Sequence, residues 1–157
     1  GGPLENRARL LLEVIEAVRQ EAELVGLRIS PLNSYNDMVD SDPIGLSRWL
    51  AERLNGTGLD FLHVMRGDLL GQQQGDVLAP VRERFNGILI ANMGYSASEA
   101  NAAIAAGAID AVAFGTAFLA NPDLPERLRR GAALNSPDPA TFYTPGPAGY
   151  TDYPALP

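Results

Sequence analysis

The sequence predicts an α/β fold on a parallel sheet and, within that class, half of an eight-unit barrel. Three observations predict it. Four short apolar segments alternate with helical patterns. Those segments are apolar along their whole length instead of alternating, as in parallel strands covered on both faces. The chain also opens with a helix that has no strand before it. Four βα units behind an orphan helix suit half of a closed barrel better than a complete doubly wound sheet, because closure removes exposed edges.

From Leu4 to Ala22, Leu11, Val14, Ile15, Val18 and Ala22 recur at three- and four-residue steps among Glu13, Glu16, Arg19 and Glu23, which predicts an amphipathic helix. Leu24 to Ile29 is the first strand, closed by Ser30-Pro31. A polar stretch leads to Pro43 and a helix through Leu46, Trp49, Leu50 and Leu54 that stops near Asn55-Gly56. Asp60 to Met65 is the second strand, followed by a Gly/Gln-rich loop from Gly67 to Gly75 and a helix around Val77 to Phe85. The third strand is Gly87 to Ala91, with the turn Asn92 to Tyr95 and a helix from Ala97 to Ala106. Ser96 and Glu99 read as a capping box there, and Gly107 as the helix stop. The fourth unit is Ala111 to Phe114, a short loop beginning Gly115-Thr116, and a helix from about Asp123 to Arg130. Beyond Gly131 the chain turns to proline, glycine and tyrosine without periodicity, so it is expected as a loop over the body. This is one partial domain: a half-barrel over 4–131 and a loop segment over 132–157.

Composition excludes several chemistries. The 157 residues contain no cysteine, hence no disulfide or thiolate. All 12 basic residues are arginine, so a Schiff-base or P-loop lysine is absent. A net charge of −7 has the wrong sign for nucleic acid. The single histidine, His63, cannot build a multi-histidine metal site, and the carboxylates lack EF-hand spacing, so no metal is expected. No window approaches the roughly 18 apolar residues of a membrane span. Gly1-Gly2-Pro3 carries neither an initiator methionine nor a signal sequence, which reads as a chain cut from something longer and cytoplasmic.

Ligands of parallel α/β proteins gather beyond the carboxyl ends of the strands. Ala91-Asn92-Met93-Gly94 and Gly115-Thr116 are glycine-bearing ends of successive strands. They are either a phosphate cradle of backbone N–H groups or two ordinary βα turns. Arg28, between Leu27 and Ile29, is expected to be buried and to need an anion or a neighbouring strand's carboxylate. His63 reads as a hydrogen-bonded core residue, and Asp37 to Asp42 as a solvated loop with capping acids.

Gly1 to Arg9, Gly26-Leu27-Arg28-Ile29-Ser30-Pro31, Asp60 to Val64, Asp110 to Gly115, Ala120-Asn121-Pro122-Asp123-Leu124, Phe142-Tyr143 and Gly149 to Pro154 resemble, in order, the old yellow enzyme family of FMN-dependent ene-reductases. The similarity is strongest to its N-ethylmaleimide and pentaerythritol tetranitrate reductase branch. It implies the C-terminal half of a (β/α)8 TIM barrel. It also implies FMN as cofactor, with NADPH or NADH as reductant, and reduction of activated alkenes or nitro compounds.

By the same resemblance Arg28 stands beside the flavin's pyrimidine side. Ala91, Asn92, Met93 and Gly94, with Gly115 and Thr116, hold the phosphate, and Tyr143 lines the substrate side. The family's arginine is replaced by Thr116, and Met93 stands where glycine is common, its main-chain donor being kept if its φ is negative. The family's His-x-x-Asn or His-x-x-His pair and its proton-donating tyrosine have no counterpart, so no catalytic residue is expected in this chain. The expected partners are a small-molecule substrate, the missing N-terminal half-barrel and, for the fragment, a second copy. The alternative is a non-catalytic half-barrel module that binds a phosphate-bearing ligand or assembles with itself.

Overall fold

The computed structural model describes residues 2–157. Gly1, the first residue of the family-like opening segment, lies outside them. The chain divides into two compact units, one ending at Ala113 and the other spanning Phe114–Pro157.

In the first unit, helix α1 (Leu4–Glu21) follows Pro3, with Glu5 in its first turn and Arg19 in its last, both favourable to the helix dipole. Its packed stripe is Ala8, Leu11, Leu12 and Ile15. Val14 and Val18, expected on that stripe, are 48% and 42% exposed, because the buried ridge passes one flank away from them. Strand β1 (Gly26–Ile29) begins two residues later than expected, leaving Leu24 exposed. Helix α2 (Pro43–Leu54) has Pro43 in its first turn and Asp42 as its cap, accepting from Gly45 N–H at 2.8 Å. Asp40 pairs with Arg7, so the acidic cluster is a capping loop.

Strand β2 (Phe61–Met65) is followed by a short helix α3 (Leu78–Arg82) and strand β3 (Ile88–Asn92). Helix α3 stops before Phe85: Arg82 folds its guanidinium back onto the Phe85 and Gly87 carbonyls. Helix α4 (Ala97–Ala105) shows half of the expected capping box. Ser96 Oγ accepts from Glu99 N–H at 3.2 Å, but the Glu99 carboxylate turns to Arg66. Strand β4 (Ala111–Ala113) completes the sheet.

The four strands are parallel in the order β1-β2-β3-β4, so β1 and β4 are its edges. The register sets Leu27, Ile29, Leu62, Val64, Leu89, Ala91 and Val112 on one face, and all belong to the core that α1 to α3 cover. Gly26, Arg28, Phe61, His63, Met65, Ile88, Ile90 and Asn92 share the other face, and none belongs to that core. Phe61 is 37% and Ile88 54% exposed. The expectation that both faces are covered therefore holds for one face only. The Phe61 ring lies over Gly26, where a Cβ would sit 2.0 Å from it, so this close approach requires glycine.

Two carboxylates staple the strand beginnings. Asp60 N–H donates to Val25 C=O at 2.9 Å while its carboxylate accepts from Val25 N–H at 2.7 Å and from Arg19 at 3.3 Å. Asp110 repeats this with Leu89, at 2.8 Å in both directions, and with Arg82 at 2.9 Å.

The second unit contains α5 (Thr116–Ala120) and α6 (Leu124–Arg130). Helix α5 falls where a loop was expected: Gly115 C=O accepts from Phe118 and Leu119 N–H, so the turn closes on backbone bonds that hydrophobic periodicity does not signal. The tail is tied by buried polar side chains. Arg127, 5% exposed, pairs with Asp123 at 2.6 Å and donates to the Ala133 and Pro154 carbonyls at 2.7 and 2.8 Å. Asn121 and Asn135 exchange further bonds across the same turn.

Asp110→Ala leaves the Leu89 N–H, at a fully buried residue, without an acceptor. Its expected cost is about 1–3 kcal/mol, the price of an unsatisfied buried donor, with the half-exposed Arg82 pair adding little. Urea unfolding of the variant beside the parent measures it.

Candidate functional site

The uncovered sheet face brings together Arg28, His63, Met65 and Asn92. Arg28 and His63 are cross-strand partners, as are Met65 and Asn92. Arg28 is exposed and not buried as expected, because it stands on the face that no helix covers. Its guanidinium reaches Met65 Sδ at 3.8 Å, and among the described residues it forms no ion pair. The proposed strand carboxylate is thus absent from its surroundings.

His63 Nε2 lies 3.1 Å from Asn92 Oδ1. Since a carboxamide oxygen only accepts, Nε2 carries the proton and Nδ1 is free. Burial lowers the His63 pKa below 6.5 and the Arg28 charge lowers it further, against an opposing bond from Asn92. The ring is neutral at pH 7, beside a permanent cation.

At the end of β3 the chain turns sharply. Ala91 is a ladder residue, paired with Val64 and Val112, with its methyl in the core. Asn92 ends the strand. Met93 has φ 87° and Gly94 φ 69°, so the condition of a negative φ at Met93 is not met, and the methionine occupies the backbone region that favours glycine. Among the described residues neither the Met93 nor the Gly94 N–H finds an acceptor. Arg66, which the sequence reading passed over, holds this turn. Its Nε donates to Met93 C=O at 2.8 Å, its two terminal nitrogens grip the Glu99 carboxylate, and its guanidinium stacks 3.6 Å from the Tyr95 ring centre. The only signal was its place just after a strand.

Asp68, also unanticipated, knits the neighbouring loops. Its carboxylate accepts from Ser34 N–H and Oγ and from the Leu70, Gln72 and Gln73 N–H groups. Partial burial pushes its pKa up, but these donors outweigh it and hold the carboxyl well below the usual range.

In the second unit Gly115 and Thr116 are exposed at the start of α5, and Tyr143, with φ 59°, is 98% exposed. Among the described residues no group of three or more His, Asp or Glu side chains could hold a metal, and no helix is long and apolar enough to cross a membrane.

A cation without an ion pair and a neutral imidazole beside it on one face, with unbonded amides in the turn that follows β3, suit an anionic ligand. Residues 1–135 match the NADH:flavin oxidoreductase / NADH oxidase family, and the chain belongs to that family, whose cofactor is FMN. A probable flavin mononucleotide-dependent alkene reductase of Leishmania infantum is 54% identical over 99% of this chain and 43% of its own length. The old yellow enzyme of Trypanosoma cruzi superposes with a TM-score of 0.96 at 42% identity, over 99% of this chain and 42% of that one. Morphinone reductase in complex with tetrahydroNAD gives 0.90 at 43% identity, over 100% of this chain and 43% of its own. The chain therefore spans less than half the length of these relatives, and its fold is half of their barrel.

The His63 imidazole is expected to titrate below 6.5, and Arg28→Ala to move its midpoint upward by removing the adjacent cation. Neutral His63 is the form the fold favours, so this group's contribution to stability is present above 6.5 and is lost as pH falls through the lowered pKa. NMR titration of the ring resonances measures both effects.

Proposed function

We propose that this chain is the cofactor-holding half of an FMN-dependent ene-reductase that uses NADPH or NADH to reduce activated alkenes (α,β-unsaturated carbonyl compounds) or nitro compounds. The observation that carries the reading is Arg28: a permanent cation on the uncovered sheet face that forms no ion pair among the described residues. Family membership supports it. The residues present fit the group. Arg28 offers positive charge to the pyrimidine edge of the flavin, and the Gly94 amide offers a donor to its phosphate. When bound, FMN supplies hydride acceptance and delivery.

The chain's own residues bind and bias. Arg28 favours negative charge on its partner. His63, kept neutral, adds no second cation and orients Asn92 by donating to its Oδ1. In the second unit, Gly115 and Thr116 are assigned phosphate contacts and Tyr143 a substrate contact. Thr116 brings a hydroxyl where the family has arginine. The sole histidine is His63, so the substrate-gripping His pair has to come from the N-terminal half-barrel, and residues 1–157 alone are expected to show little turnover. In this reading 4–131 is the half-barrel and 132–157 its terminal segment.

A second reading, self-association, is favoured by the exposed Phe61 and Ile88 on the uncovered face and by the open edges β1 and β4. Light scattering of residues 1–157 across a dilution series tests it. A mass that stays at 16.7 kDa at high concentration refutes it.

For the cofactor reading, Arg28→Ala in the full-length protein is expected to weaken FMN binding or slow flavin reduction, read by flavin absorbance in stopped flow. Unchanged occupancy together with an unchanged rate rejects the assignment. Thr116→Arg is expected to tighten FMN by about 1–3 kcal/mol, the range for a hydrogen bond to a charged group. Fluorescence titration with FMN measures this gain.

A further inference from the structure

The turn after β3 is held in a conformation its sequence does not favour. Met93 at φ 87° carries a Cβ that crowds the backbone there, and such residues persist only when their surroundings over-determine them. What over-determines this one is Arg66. Its Nε bond to Met93 C=O fixes the direction of the Met93–Gly94 peptide, and its other two nitrogens are anchored on Glu99 at the start of α4. Tyr95 closes the third side of the guanidinium. The Met93 side chain lies against Gly67, where an added Cβ would meet Sδ at 3.3 Å, so the residue after Arg66 is small enough to let the methionine settle.

The peptide is trans, so its C=O and N–H point in opposite directions. With the carbonyl drawn toward Arg66, the Gly94 N–H is turned away from it, and among the described residues it has no acceptor. Arg66 itself is neutralised by Glu99, so its charge is spent inside the protein.

We propose that Arg66 is a positioning residue for the anion site: by holding the Met93 carbonyl it presents the Gly94 amide to a phosphate, doing at methionine what glycine does unaided. This rests on the reading of the Met93–Gly94 turn as a phosphate contact. Without Arg66, Met93 relaxes to a negative φ, the peptide rotates, and a carbonyl oxygen replaces the amide at the anion.

The test compares FMN with riboflavin, which lacks the phosphate, by quenching of flavin fluorescence in titrations of the full-length protein and its variants. The unaltered protein is expected to prefer FMN. Arg66→Met is expected to lose about tenfold in FMN affinity, the order of one charge-directed hydrogen bond, with riboflavin unchanged. Adding Met93→Gly to Arg66→Met is expected to restore most of the loss, because glycine adopts the positive φ without a clamp. Arg66→Lys, with one ammonium in place of a fork, is expected to fall between. If Arg66→Met does not fold, Arg66→Lys decides on the same ratio. An undiminished preference for FMN in the Arg66 variants overturns the inference. So does an equal loss for both ligands that Met93→Gly leaves unrepaired. If the unaltered protein does not prefer FMN at all, it is the phosphate reading that fails.

Discussion

A parallel sheet with apolar side chains on both faces is normally covered twice, and the helices of the first unit cover it once. Leu62, Val64, Leu89 and Ala91 are fully buried beneath them, while Phe61 and Ile88 across the sheet remain open. The other features of the first unit follow from that asymmetry. Arg28 can be exposed in the middle of an apolar strand because it stands on the open face, and His63 is half-buried and neutral because burial and the Arg28 charge both disfavour its protonation. In the barrel of the relatives, this face is the one that turns inward.

The fold was legible because its signals are strong and local: period-3.6 apolar spacing for α1 and α2, unbroken apolar runs for β2 and β3, and a proline behind an aspartate for the start of α2. The misses have physical causes. Helix α5 is five residues long and has no periodicity to read. The pattern predicts α3 too long because Phe85 is buried like a helical residue but reaches the core from beyond the helix end. Glu99 matched the capping-box spacing, yet a bidentate arginine offered it a better partner than one backbone N–H. Of the site, Arg28 and the Asn92–Gly94 turn could be named from their positions. Arg66 and Asp68 could not, because their importance lies in contacts between loops distant in sequence.

The choice of arginine as sole cation has a structural counterpart. Arg66, Arg82 and Arg127 each hold a carboxylate and at least one backbone carbonyl at once, with Arg82 and Arg127 each spanning two carbonyls. A planar fork with five donors can bridge such acceptors, and a lysine ammonium on a flexible stem matches that geometry poorly. Arg66, Arg82 and Arg127 thus act as internal cross-links.

The repeated staple at Asp60 and Asp110 has a further consequence. It joins β1 to β2 and β3 to β4 at the ends where the strands begin, and the same two-atom exchange with Val25 and Leu89 recurs every second strand. The half-barrel is therefore assembled from two quarter-barrels, each fastened at its base. The opposite rim is held separately, by Arg66 on Met93 C=O and Glu99 and by Asp68 on the Ser34, Leu70, Gln72 and Gln73 N–H groups, so the rim loops can change without loosening the strand beginnings only where those two side chains are spared. Each pair of strands thus carries its own lock at the base.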